Sequence, residues 1–89
     1  MDKEKIVEIG ELASALTPIS DMAVLMGVPE MELRKELEDV SGPACMAYRK
    51  AKALAALGMR RRDIELAAAG SPAAVENVVA YYNRMTDDE

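Results

Sequence analysis

Arg49, Lys50, Lys52, Arg60, Arg61 and Arg62 place six fixed positive charges within residues 43–62, with no acid among them. Side chains of this kind neutralise phosphates, and each neutralised phosphate adds roughly 0.9 to the log-log slope of binding against salt. The rest of the chain is acidic. Residues 1–29 carry 2 bases and 5 acids, residues 30–42 carry 2 and 5, and residues 63–89 carry 1 and 6. A net charge of −5 over 89 residues excludes a uniformly basic nucleic-acid binder and confines any polyanion contact to a local patch. The same bases also suit a solvated face, or pairing with acidic segments of this chain or of a neighbouring copy.

Other reactive groupings are few. There is no His for acid-base chemistry or metal ligation, and the single Cys45 makes neither an internal disulfide nor a structural zinc site. It reads as a small, partly buried hydrophobe. No glycine spacing matches a phosphate-cradling loop. Glu32 and Glu36 lie on one amphipathic helix, where a solvated face is the plainer reading. A non-enzymatic protein without cofactor or metal is expected.

The second feature is GVPEMELRKELED, residues 27–39. It follows Met22, Ala23, Leu25 and Met26, and it places Val28, Leu33 and Leu37 after Gly27 in the order of a helix-turn-helix. Ala23 lets two helices cross closely, Gly27 permits the sharp turn, and Leu33 and Leu37 seat the second helix on the first, with Val40 continuing their spacing. Met31, Lys35 and Glu38 then point outward. Arg34 and Lys35 are the only phosphate or guanine contacts this helix offers, against five acids. Alone it would read DNA weakly.

The elements that must carry these groups are helical throughout. No segment alternates with a period of two, so an all-α fold is expected: a helix-turn-helix, a long helix and an αα-hairpin. The first helix spans about residues 2–16, with Ile6, Ile9, Leu12, Ala13 and Leu16 as its apolar stripe, and Thr17 and Pro18 stop it and cap the next. A second helix covers residues 19–26 and a third about 30–40. Ser41, Gly42 and Pro43 open a long helix over residues 44–69, about 39 Å at a rise of about 1.5 Å per residue. Gly58 should kink it or mark a change of packing partner. The sequence AGSP at 69–72 supplies a Gly past one helix end, a Ser cap and a Pro at the start of the last helix, which runs to about residue 85 before a fraying tail. The division expected is residues 1–42 as a DNA-binding-like region and 43–89 as an oligomerisation region.

That last region holds more apolar side chains than one hairpin can cover on one side. Val75, Val78, Val79 and Tyr82 should be buried along the last helix. Leu54, Leu57, Ile64, Leu66, Val75, Val79 and Tyr82 are therefore the expected subunit interface of a homo-oligomer. No apolar run approaches the roughly 18 residues of a membrane helix and no signal peptide is evident, so a soluble cytoplasmic protein is expected.

Taken together, MAVLMGVPEMELRKEL and AYRKAKALAALGMRRRDIELAAAGSPAAVENVVAYY resemble the small terminase subunits of tailed phages and prophages. The resemblance covers about residues 19–85. It implies recognition of double-stranded viral DNA for packaging, ring-like oligomers held by the central helices, and partnership with a large terminase subunit that hydrolyses ATP. The residues themselves also fit a helical protein-interaction or oligomerisation module whose helix-turn-helix is architectural, or a small transcription regulator.

Overall fold

In the computed structural model, which describes all 89 residues, the chain is all-α. Five helices follow one another: α1 (Lys3–Ser14), α2 (Ile19–Met26), α3 (Glu30–Glu38), α4 (Pro43–Ala68) and α5 (Pro72–Asp87). They form two compact units, Met1–Ala55 and Ala56–Glu89. The division falls inside α4, shortly before Gly58, rather than at residue 42, because Ala44 and Ala51 belong to the core of the first unit.

Local chemistry explains where the helices begin and end. Asp2 is the cap of α1 rather than its first residue, its carboxylate accepting from the Lys5 amide at 2.9 Å. Three of the helices then close in the same way: an amide just past the end donates back to the carbonyl five residues earlier, while the residue before that amide turns left-handed. Thr17 donates to Leu12, Val28 to Ala23 and Ser71 to Leu66, at 3.0, 3.1 and 3.0 Å. Gly27 (φ 69°) and Gly70 (φ 98°) take the left-handed position at two of these ends, where a side chain would strain the backbone.

Leu16 takes it at the third, with φ 63°. It therefore leaves the apolar stripe of α1 and is exposed. Thr17 is likewise spent on closing α1. The position before α2 belongs to Pro18, which supplies no side-chain cap. Val40 departs from expectation for a related reason. Asp39 turns extended, its carboxylate accepts from the Ser41 hydroxyl and its carbonyl from the Gly42 amide, so α3 stops at Glu38 and Val40 faces water.

In the N-terminal unit, Ile9 and Ala13 of α1, Met22 and Ala23 of α2, Leu33 of α3 and Ala44 and Ala51 of α4 enclose one core. Ile6, Leu12, Ile19, Met26, Val28, Leu37 and Tyr48 pack around it. The small residues lie where helices approach closely, and Ile9, Met22 and Leu33 supply the volume.

The C-terminal unit pairs the second part of α4 with α5. Ser71 caps α5 by accepting from the Ala74 amide at 3.3 Å, with Pro72 at the first helical position. Only Ala74 is buried there. Val78 and Tyr81 are half-buried, whereas Val75, Val79 and Tyr82 are exposed, contrary to the burial expected from their spacing. Two helices have a single seam between them, and residues beside it stay wet. Helix α5 continues to Asp87, two residues past the end expected near Met85.

Candidate nucleic-acid interface

Seating of α3 is the first requirement of a reading helix. Leu33 is fully buried and Leu37 half-buried, packed against the core that holds Ala23. Gly27 at the end of α2 makes the turn, and Pro29 directs the chain into α3. Met31, Lys35 and Glu38 are exposed on the far side, as their spacing requires.

The charge on that outer surface is mostly negative. Arg34 is held by its own helix, its Nε donating to Glu30 at 3.0 Å. Such exposed i,i+4 pairs contribute only about 0.3–0.5 kcal/mol, so a phosphate could displace the carboxylate at small cost. Lys35 has no ion-pair partner. Glu36 lies 3.7 Å from the Met1 amino group. Glu32, Glu38 and Asp39 pair with no base.

On α4 the position is reversed. Arg49, Lys50, Lys52, Arg60, Arg61 and Arg62 are all exposed, and none pairs with a carboxylate. They fall in two sets, Arg49, Lys50 and Lys52 in the N-terminal unit and Arg60, Arg61 and Arg62 in the C-terminal one. Lys52 lies over an aromatic ring, its Nζ 5.7 Å from the centroid of the half-buried Tyr48. At an exposed site that contact contributes about 0.5–1 kcal/mol and leaves the charge free to meet an anion.

Sequence reasoning missed the polar clasp of the C-terminal unit. The half-buried Asp63 accepts from the Tyr81 hydroxyl and from Asn77 Nδ2 at 3.5 Å, joining α4 to α5. The hydrogen bond to Asp63, then burial, then the Asp63 charge raise the Tyr81 pKa above 10, while Arg60 acts in the opposite direction. No motif announces this clasp, although Asp63 and Asn77 stand equally far from Gly70 in the sequence, as facing residues of a hairpin must.

Of the expected subunit-interface residues, Leu54, Ile64, Leu66, Val75, Val79 and Tyr82 are exposed and Leu57 is half-buried. No helix is long and apolar enough to cross a membrane. Compared with protein families, characterised proteins and solved structures, the chain matches none.

Proposed function

We propose that this chain is a non-enzymatic DNA-binding protein of the small terminase type, which recognises viral double-stranded DNA for packaging in the cytoplasm of a phage- or prophage-bearing bacterium. The observation that carries the reading is the state of the six α4 bases: every one is exposed and none is neutralised by the sixteen acids of its own chain. Pairing within the chain is the bland use of such a stretch, and it is not made here. Free bases in a chain that also carries a seated helix-turn-helix suit phosphate contact. In this reading α4 supplies most of the attraction, while Arg34 and Lys35 add local contacts from α3.

Self-association completes the function, because one copy has a net charge of −5 and offers few bases to a duplex. Val79 is 53% exposed and Tyr82 64%, and these two with Leu54, Leu57, Ile64, Leu66 and Val75 are the apolar side chains through which copies would join. A large terminase subunit is the further partner.

The test is duplex binding across a salt series. Affinity should fall steeply with salt, and replacing Arg60, Arg61 and Arg62 together by Ala should flatten the log-log slope by roughly 0.9 for each side chain that had met a phosphate. Absence of binding to any duplex at low salt overturns the reading.

A further inference from the structure

The outer surface of α2 and α3 is apolar as well as acidic. Val24 is 80% exposed and Met31 76%, and Leu25 is also exposed. On α3, Met31, Lys35 and Glu38 share the side opposite Leu33, with Glu32 at its edge, so that two carboxylates outweigh one ammonium there. Neither carboxylate has a base of its own chain within ion-pair distance. A partner for this face must therefore combine exposed apolar groups with positive charge.

The same unit carries a surface of that description. Ala44 and Ala51 are buried and Tyr48 half-buried, which fixes the inward side of α4. Met46, Arg49, Lys50 and Ala53 follow at i, i+3, i+4 and i+7 on the opposite side, all exposed. Met46 is 62% exposed and lies between two bases that no carboxylate neutralises.

We propose that the outward Met31–Glu38 face of α3 in one copy docks on the Met46, Arg49 and Lys50 face of α4 in a second copy. Met31 and Met46 adapt their unbranched side chains to each other, and the stems of Arg49 and Lys50 cover the apolar contact while their charges reach Glu32 and Glu38 on either side of Lys35. Two different patches meet, so each added copy leaves one of each free. Growth past the dimer follows, as a ring or a chain of copies. The contact needs neither duplex binding nor the apolar surface of the C-terminal unit. Because it uses Arg49 and Lys50, a duplex and a neighbouring copy compete for the same two bases.

Sedimentation velocity of the full-length chain without DNA tests this, using a charge swap. One variant carries Glu32→Lys and Glu38→Lys, the other Arg49→Glu and Lys50→Glu, all at exposed positions where unchanged far-UV circular dichroism confirms folding. The parent should associate further at low salt than near 1 M, where the screening length falls to about 3 Å and only association through the apolar side chains of the C-terminal unit persists. Each variant alone should associate more weakly by at least roughly tenfold, because like charges now face each other. An equimolar mixture should recover the association, since each reversed face then meets its complement. A monomeric parent at low salt, association that salt and both variants leave unchanged, or a mixture no more associated than its components overturns the proposal.

Discussion

The N-terminal unit encloses eight of the nine buried apolar residues, and the C-terminal unit encloses only Ala74. Both have comparable apolar content and well-signalled helix ends, so composition and capping do not separate them. The number of helices that converge does. Four segments surround Met22 and Leu33 from several sides, whereas α5 and its stretch of α4 meet along one seam and turn Ile64, Val75, Val79 and Tyr82 to water. A two-helix unit has only that seam, its caps and a polar clasp to hold it. One region is stabilised from within, and the other leaves much of its apolar surface exposed.

The largest test of that contrast is Leu33→Ala. Removing a fully buried side chain from the N-terminal core should cost about 2–5 kcal/mol in urea unfolding, while amides of α5 keep their hydrogen-exchange protection. Equal loss of protection in both units would show that the C-terminal unit borrows its stability from the N-terminal core.

A smaller effect of opposite sign is expected at the end of α1. Leu16 adopts a left-handed backbone while its side chain is exposed, so Leu16→Gly should raise the denaturation midpoint by up to about 1 kcal/mol equivalent. A lower midpoint would mean that the Leu16 side chain contributes packing worth more than the strain.

The smallest effect belongs to the clasp. Tyr81 has a folded-state pKa above its unfolded value near 10 because its hydroxyl donates to Asp63. Its contribution is complete below the unfolded pKa and is lost as pH rises through the folded one, so the C-terminal unit should weaken above about pH 10. Tyr81→Phe should remove that alkaline dependence and leave the N-terminal unit unchanged. Circular dichroism melts at pH 8 and at pH 10 to 11 would show it.

Much of this is legible in the sequence. Gly27 and Gly70 sit where left-handed turns were expected, Ser71 and Pro72 open α5, and α2 spans the residues its flanks delimit. The failures share a cause. Leu16 and Val40 fit the apolar period of α1 and α3 but stand just past the hydrogen-bonded ends of their helices, and periodicity carries no information about where a helix stops. Val75, Val79 and Tyr82 keep the right spacing on a helix with too little opposite it to bury them. Among the candidate site residues, types and spacing located the six bases and the outward side of α3, whereas Arg34 binding Glu30 and the absence of any partner for the α4 bases depend on side-chain placement.

The sequence by itself determined what is local: the all-α fold, the turns made by Gly27 and Gly70, the cap at Ser71, and the segregation of bases onto one helix within an acidic chain. Tertiary structure alone decided which apolar residues form a core, where along α4 one unit gives way to the next, and that Asp63 meets Tyr81. Backbone hydrogen bonds and caps depend on residues a few positions apart. Burial and polar pairing depend on what lies across a gap, and residues distant in sequence supply that.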